Sequence, residues 1–149
     1  MKVCFATSSG GHLTHLLMLE DWYKDYERIW VTFDKEDARS SLKNEKKYWC
    51  YHPTNRNILN LIKNTLLAFK VLLKEKPDVI VSTGAGVAVP FFYLAKFSKC
   101  KTVYIEVYDR ISSPTLTGKM VYSVTDLFIV QWESQKEFYK KAQVLGPIV

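Results

Sequence analysis

Short apolar runs recur along the chain at intervals that leave room for a helix between each pair. Several are apolar at consecutive positions rather than at alternate ones, which is typical of strands covered on both faces. The predicted strands are Lys2–Ala6, Arg28–Phe33, Lys47–His52, Asp78–Ser82, Thr102–Glu106 and Leu127–Gln131.

Between these strands the hydrophobic spacing changes to that of helices. The predicted helices are Leu13–Tyr23, Lys35–Leu42, Asn57–Lys74, Gly86–Phe97 and Ser134–Lys141. This alternation predicts a doubly wound α/β domain: a Rossmann-like, mostly parallel sheet with helices on both sides. Neither an internal repeat nor a linker interrupts the pattern, so we expect one domain over residues 1–149.

The longest predicted helix, Asn57–Lys74, carries more apolar residues than one buried face needs. Lysines flank the apolar stripe, at Lys63, Lys70 and Lys74. An ordinary core helix with a wide apolar face would explain the pattern. A helix that contacts a bilayer or a partner would also explain it, because basic residues beside apolar ones bind anionic lipid.

Charge and composition narrow the choice of partners. The 149 residues carry a formal net charge of +6, which favours phospholipid surfaces and pyrophosphate-linked substrates. No nucleic-acid-binding motif accompanies the charge, so we expect no nucleic-acid partner. Residues 79–95 lack charged side chains, but a glycine turn and Pro90 interrupt them, so a strand, a turn and a helix fit better than a membrane span.

The three cysteines, Cys4, Cys50 and Cys100, are widely spaced and form no CxxC pair. This argues against a disulfide framework or a zinc site and suits a cytoplasmic protein. His12 and His15 are one helical turn apart, but no third ligand lies in range. We therefore expect neither a metal nor another cofactor.

The first candidate for chemistry is Ser8-Ser9-Gly10-Gly11-His12, between a predicted strand and a predicted helix. Ligands of open α/β sheets bind at the carboxyl ends of strands, where glycines let backbone amides approach phosphate. A tight turn alone would explain the glycines. His12 favours function, because its imidazole can accept a proton near neutral pH.

A second glycine turn, Ser82-Thr83-Gly84-Ala85-Gly86, follows another apolar strand. If both strands lie near the sheet centre, the two turns face the same crevice. The plainer interpretation is that Gly84 and Gly86 allow close helix packing.

The third candidate is Glu106, at the end of the fifth predicted strand. A stretch rich in Ser, Thr, Pro and Gly follows it, over residues 112–119, and is predicted to be a loop. Glu106 either pairs with Arg110, or accepts a hydrogen bond from a sugar hydroxyl and shares proton transfer with His12.

Together these motifs resemble one family over nearly the whole chain, from Val3 to Gly146. The residues that carry the resemblance are Ser9-Gly10-Gly11-His12-Leu13, the run from Lys76 to Gly86, Thr117-Gly118-Lys119, and Val130-Gln131-Trp132-Glu133. The family is the membrane-anchoring subunit of the split dolichol-linked N-acetylglucosaminyltransferase, with its bacterial capsule and exopolysaccharide counterparts. More distantly, the chain resembles the N-terminal half of the MurG-type GT-B glycosyltransferases.

The resemblance implies an acceptor-side domain that binds a lipid-pyrophosphate sugar and recruits a separate subunit for the UDP-sugar. It implies that His12 and Glu106 are catalytic candidates and that the glycine turns hold pyrophosphate, through Ser9, Gly10, Gly11, Thr83, Gly84, Ala85 and Gly86. The eukaryotic subunit begins with a membrane-spanning helix, and none precedes Lys2 here. We therefore expect peripheral contact with the inner face of the cell membrane, in bacterial polysaccharide synthesis.

Two other functions remain open at this point. One is a non-catalytic scaffold that enhances a complete glycosyltransferase. The other is a stand-alone nucleotide-binding enzyme, although the acidic residue expected about 20 positions after a dinucleotide loop is absent: Trp30–Phe33 occupies that stretch.

Overall fold

A computed structural model describes residues 1–148 and shows a seven-stranded sheet. The strands are β1 (Lys2–Ala6), β2 (Glu27–Phe33), β3 (Lys47–Cys50), β4 (Val79–Ser82), β5 (Lys101–Ile105), β6 (Leu127–Val130) and β7 (Gln143–Val144). Their order is 3-2-1-4-5-6-7, and every neighbouring pair is parallel. The predicted doubly wound fold is confirmed.

Six α-helices connect the strands. They are α1 (Gly11–Leu17), α2 (Glu20–Tyr23), α3 (Glu36–Ser41), α4 (Ile58–Glu75), α5 (Ala88–Ala95) and α6 (Leu116–Val121). Helix α4 matches its prediction within one residue at each end. The Asn57 side chain caps it by accepting a hydrogen bond from the Asn60 amide at 2.9 Å.

Three sequence predictions need correction. The segment predicted as one helix, Leu13–Tyr23, is two helices, α1 and α2. The predicted loop over residues 112–119 contains the start of α6, because Thr115 caps that helix through its hydroxyl. The predicted helix Ser134–Lys141 is instead a 3₁₀ helix at Glu133–Glu137, and the short strand β7 follows it.

The helices form two layers, one on each face of the sheet. Leu13, Leu16 and Tyr23 of α1 and α2 pack with Phe5 and Trp30 in one core cluster. Helices α4, α5 and α6 cover the other face, where the cluster includes Ala68, Val71, Phe91 and Val121. Because β1 and β4 lie at the centre, both glycine turns leave the middle of the sheet at its carboxyl end.

Helix α4 buries only a narrow stripe against this core, namely Asn64, Ala68, Val71 and Glu75. Its remaining apolar side chains are largely exposed; Leu66, for example, is 65% exposed. The apolar surface, as we call this set, consists of Ile58, Leu59, Leu61, Ile62, Leu66, Phe69 and Leu73. An ordinary core helix is therefore excluded for α4. Among residues 1–148, no helix is long and apolar enough to cross a membrane.

At the opposite end of the sheet from the glycine turns, Glu75 of α4 is buried in a cluster of charges. Its carboxylate accepts hydrogen bonds from Lys2 Nζ at 2.6 Å, from Lys46 Nζ at 2.7 Å, and from the Tyr48 hydroxyl. Burial by itself raises the pKa of a carboxyl group, but these three donors outweigh it and lower the pKa of Glu75 to about 2. This cluster ties α4 to β1 and β3.

Candidate functional site

His12 lies in the first turn of α1 and is held from behind by the second glycine turn. Its Nδ1 lies 3.0 Å from the Thr83 carbonyl oxygen, and the Thr83 hydroxyl donates to the His12 carbonyl at 2.7 Å. Thr83 is fully buried and also lies 3.3 Å from the hydroxyl of Thr7. The two turns, 71 residues apart in sequence, therefore fix one imidazole together.

These contacts set the protonation of His12. A carbonyl oxygen can only accept, so Nδ1 carries the proton of the neutral ring and Nε2 keeps a lone pair. Burial lowers the pKa of His12 below its ordinary value of 6.5, outweighing the hydrogen bond to Thr83 and the charges of Asp109 and Glu106, which raise it. The ring is therefore neutral at pH 7 and able to take up a proton at Nε2.

Gly84 is required for this arrangement by its close contacts. Its φ of +133° is unfavourable for other residues. A Cβ atom there would lie 2.9 Å from His12 Cε1 and 3.1 Å from the hydroxyl of Tyr104. Any side chain at Gly84 would therefore displace His12 or Tyr104.

Glu106 is fully buried, with 0% of its surface exposed. Its carboxylate accepts hydrogen bonds from the Tyr139 hydroxyl at 2.7 Å, from the Thr115 hydroxyl at 2.9 Å, and from the Thr115 amide at 3.1 Å. Its own neighbour, the Val107 amide, donates a fourth at 3.1 Å. The expected pairing with Arg110 is not among the ion pairs of residues 1–148, where neutral groups satisfy the carboxylate instead.

Thr115 links this buried carboxylate to the surface. Its hydroxyl lies 3.3 Å from the hydroxyl of Tyr104 and caps α6 by accepting from the Gly118 amide at 3.0 Å. A Cβ atom at Gly118 would lie 2.6 Å from Glu106 Oε2, so only glycine lets the helix approach. Glu106 thus positions Thr115, Tyr104 and the start of α6.

An open cleft of about 940 Å³ lies beside these groups. The loop between β3 and α4, the second glycine turn, and the segment between β5 and α6 form its walls. Among residues 1–148, its lining contains two arginines and no carboxylate. The polar residues are His12, Thr54, Asn55, Arg56, Asn57, Asn64, Tyr104, Arg110, Thr115 and Thr117; the others are Ile58, Leu61, Ala85, Gly86, Val89, Leu116 and Met120.

The residues predicted from sequence fall into three groups in this geometry. His12, Ala85 and Gly86 line the cleft. Thr83, Gly84 and Glu106 are buried, and they hold in place residues that line the cleft. The remaining residues, Ser9, Gly10 and Gly11, are absent from the lining, and the Gly10 amide donates at 2.7 Å to Asp37 instead.

Most residues of the cleft lining were not proposed as site residues from the sequence, among them Arg56, Tyr104, Arg110 and Thr115. Thr115 had a signal, since a threonine immediately before an apolar residue is a typical N-cap. Tyr104 lies two residues before Glu106, and this spacing places both side chains on the same face of the sheet. The arginines stand in polar loops, where no periodicity marks them.

Among residues 1–148, no group of three His, Cys, Asp or Glu side chains could hold a metal ion. The three cysteines are buried, and burial raises the pKa of Cys50 and of Cys100 to about 12.

The fold defines a structural class for the molecule: it has the doubly wound α/β fold that is also found in GT-B glycosyltransferases such as MurG. MurG from Acinetobacter baumannii superimposes with a TM-score of 0.73 at 16% identity, over 89% of this chain and 42% of that one. A UDP-N-acetylglucosamine 2-epimerase from Rickettsia bellii has the same TM-score and identity, over 94% of this chain and 41% of its own. At such identities the likeness concerns the fold alone, and this chain spans less than half of either protein.

Sequence similarity then identifies the family. The family described as "Oligosaccharide biosynthesis protein Alg14 like" matches residues 50–148. The UDP-N-acetylglucosamine transferase subunit ALG14 of Homo sapiens is 27% identical, over 100% of this chain and 83% of the human protein. The subunit of the same name from Schizosaccharomyces pombe is 40% identical over 47% of this chain and 36% of its own. The chain belongs to the Alg14 family.

Proposed function

We propose that this chain is the acceptor-binding and membrane-recruiting subunit of a two-component, UDP-sugar-dependent glycosyltransferase. Its relatives are named as subunits of a UDP-N-acetylglucosamine transferase, and its fold corresponds to one half of a GT-B enzyme. The observation that carries the proposal is the cleft in which His12 adjoins cationic and apolar groups. A separate donor-binding subunit completes the enzyme across this edge of the sheet.

In this proposal His12 is the general base. Nε2 takes the proton from the acceptor hydroxyl as that oxygen attacks the anomeric carbon of the donor sugar, and the bond from that carbon to the UDP oxygen breaks. The lowered pKa keeps the ring neutral and ready for this transfer at pH 7. Glu106 acts as a positioning residue, because its oxygens are already occupied by Thr115 and Tyr139.

The acceptor is a sugar linked through pyrophosphate to a lipid. The cleft has both kinds of lining that such an amphiphile needs: arginines for the phosphates and apolar residues for the lipid chain. The curated relatives named above are eukaryotic proteins. The role in bacterial capsule or exopolysaccharide synthesis, at the inner face of the cell membrane, stays a prediction from the sequence motifs.

Peripheral membrane contact is proposed for the apolar surface of α4. That surface is exposed and flanked by the exposed side chains of Lys63, Lys70 and Lys74, which suit anionic lipid headgroups. Ile58 and Leu61 belong both to this surface and to the cleft lining. Acceptor lipid in the bilayer would therefore reach the cleft without crossing water.

Sugar transfer tests the proposal. The purified chain is assayed with radiolabelled UDP-N-acetylglucosamine and membrane lipid acceptors, alone and together with the product of the neighbouring gene. We expect transfer with both chains and none with this chain alone. His12→Ala should lower the rate of the assembled complex by about 10²–10⁴-fold, as for loss of a general base.

His15→Ala is the matched control, because His15 lies on the same helix but not in the cleft lining. It should leave the rate within a few-fold of wild type. Full activity of the complex with His12→Ala would favour the non-catalytic scaffold. Transfer by this chain alone would overturn the two-component assignment.

Vesicle flotation tests the membrane contact separately. The chain should float with vesicles containing about 30% anionic phospholipid and stay behind with neutral vesicles. Replacing Leu66 and Phe69 by serine should abolish flotation without unfolding the chain, since both side chains are exposed. Serine at Phe97, an exposed apolar residue beyond α5 and off the apolar surface, serves as the control. Flotation that survives the Leu66 and Phe69 changes would exclude this surface.

A further inference from the structure

The four arginines of the chain divide into two pairs. Arg28 forms an ion pair with Glu45 at 2.7 Å, and Arg39 forms one with Asp34 at 2.5 Å. Within residues 1–148, Arg56 and Arg110 have no carboxylate partner. Both line the cleft, and no acidic residue lines it in the part of the chain that the structure describes. The two uncompensated guanidinium groups therefore share one site.

The backbone that carries Arg110 is held in place by the segment after β6. Buried Gln135 donates its amide hydrogens to the carbonyls of Arg110 and Ser113. The Trp132 indole donates to the Tyr108 carbonyl at 2.6 Å. An exposed loop is thus fixed on both sides of its arginine, which lowers the entropic cost of binding.

The backbone beside Arg56 is fixed in a comparable way. Buried Asn64 of α4 both accepts from the Tyr51 amide, at 2.8 Å, and donates to the Tyr51 carbonyl, at 2.9 Å. The Asn60 side chain donates to the Pro53 carbonyl at 2.8 Å. Arg56 itself adopts a φ of +51°, which is uncommon for a non-glycine residue.

From this placement we propose that Arg56 and Arg110 together bind the pyrophosphate of the acceptor, in place of the Ser9–Gly11 turn. They stand on the loops after β3 and β5, on opposite sides of β1 and β4 in the sheet order. Guanidinium groups bind phosphate through paired, charge-assisted hydrogen bonds. The inference rests on the proposed function and assigns its anion-binding residues.

Apolar residues beside the arginines indicate which pyrophosphate is bound. Ile58 and Leu61 of α4, with Leu116 and Met120 of α6, line the same cleft and are all exposed. A lipid chain can leave the cleft between these two helices toward the apolar surface. A nucleoside diphosphate has no apolar chain to place there, so the lipid pyrophosphate fits better than UDP.

Binding to the purified chain, without its partner, tests the inference. Farnesyl pyrophosphate is the probe, and its affinity is compared with that of farnesyl monophosphate, inorganic pyrophosphate and UDP-N-acetylglucosamine by calorimetry. We expect the order farnesyl pyrophosphate, then inorganic pyrophosphate, with the nucleotide sugar weakest. Arg56→Gln and Arg110→Gln should each weaken farnesyl pyrophosphate binding by about 10- to 100-fold, the usual effect of losing a hydrogen bond to a charged group.

Arg39→Gln is the matched control, since Arg39 is exposed, ion-paired and outside the cleft. Its affinity should equal that of wild type. If Arg56→Gln and Arg110→Gln bind farnesyl pyrophosphate as tightly as Arg39→Gln and wild type do, the inference is wrong. So would tighter binding of UDP-N-acetylglucosamine that is lost in the Arg56 and Arg110 variants, because it would make the site a nucleotide site.

The assembled complex separates this inference from the proposed function. Each cleft arginine variant should raise the acceptor KM more than it lowers kcat, whereas His12→Ala should lower kcat. If the arginine variants behave as wild type while His12→Ala is inactive, the arginine assignment fails and the function stands. If the arginine variants lose binding while His12→Ala is active, the catalytic proposal fails and the anion site stands.

Discussion

Two glutamates are buried among residues 1–148, and their carboxylates are satisfied in opposite ways. Glu75, 5% exposed, lies at the amino end of the sheet and is compensated by the ammonium groups of Lys2 and Lys46. Glu106 lies at the carboxyl end and accepts only from neutral donors, chiefly Thr115 and Tyr139. Charge compensation satisfies the carboxylate at the amino end of the sheet, whereas hydrogen bonds to neutral groups satisfy the one beside the cleft.

The difference has a physical reason. A buried carboxylate costs free energy unless opposite charge or several donors replace water. Lysines supply the opposite charge at Glu75, and hydroxyl and amide donors replace water at Glu106. Neutral donors instead leave the arginines as the cations at the cleft surface. We therefore expect Glu75 variants to affect stability alone and Glu106 variants to affect activity as well.

The largest expected effect is that of Glu75→Ala. Removing one member of a buried charge cluster leaves its partners uncompensated, which typically costs about 3–5 kcal/mol. Urea denaturation measures the loss. Glu27→Ala is the control, because Glu27 lies 3.4 Å from the same Lys2 but is 73% exposed, and it should cost less than about 1 kcal/mol. Similar losses for the two variants would refute the special role of Glu75.

Acid should remove a comparable amount of stability from the wild type. The folded pKa of Glu75, about 2, lies below the ordinary value of 4.5, so its contribution is complete above pH 4.5 and disappears as pH falls toward 2. The linked free energy is about 3 kcal/mol. Denaturation midpoints recorded across this range should fall less steeply for Glu75→Gln than for wild type, and parallel curves would contradict the assignment.

Glu106→Gln should lower the free energy of unfolding by about 2 kcal/mol, because the NH₂ group of the new amide faces hydroxyl and amide donors that require an acceptor. Unlike a Glu75 variant, it should also lower transfer by the assembled complex at temperatures where the chain is folded, since Thr115 and Tyr104 lose their support. Circular dichroism establishes folding before the assay. Glu133→Gln, at an exposed position, is the control. Normal activity of folded Glu106→Gln would mean that the carboxylate supports the fold only.

The smallest effect concerns Thr115. Thr115→Ala removes the helix cap and one donor to Glu106 and should cost about 1 kcal/mol. Thr115→Ser keeps the hydroxyl and should recover most of that loss in thermal denaturation. Failure of serine to recover it would shift the explanation from the hydroxyl to the methyl group.

The sequence predicts the fold well because the central strands are apolar at consecutive positions. It fails at β7, which has two residues, and at α6, where Ser112-Ser113-Pro114-Thr115 reads as a loop although Thr115 begins a helix. Short elements depend on tertiary contacts rather than on periodicity. The contact between Tyr139 and Glu106, 33 residues apart, is of this kind.

The candidate site is predictable only in part for a related reason. Strand–glycine–helix patterns identify His12 and the second turn, because local sequence determines where a parallel strand ends. Whether a residue there faces the cleft or the interior depends on what covers it. Helix α6 covers Glu106, and the Gly10 amide already donates a hydrogen bond to the Asp37 carboxylate. Arg56 and Arg110 lie far apart in the sequence, and only the order of the strands brings their two loops to the same cleft.

That strand order also has a consequence for synthesis on the ribosome. Strand β1 pairs with β2 on one side and with β4, more than 70 residues later, on the other. Until β4 has emerged, the β4-facing edge of β1 has no partner, and apolar Val3 and Phe5 lack half of their sheet neighbours. A nascent chain of this kind exposes an aggregation-prone edge for a large part of its translation. A chaperone that binds at the ribosome would protect this edge during that interval.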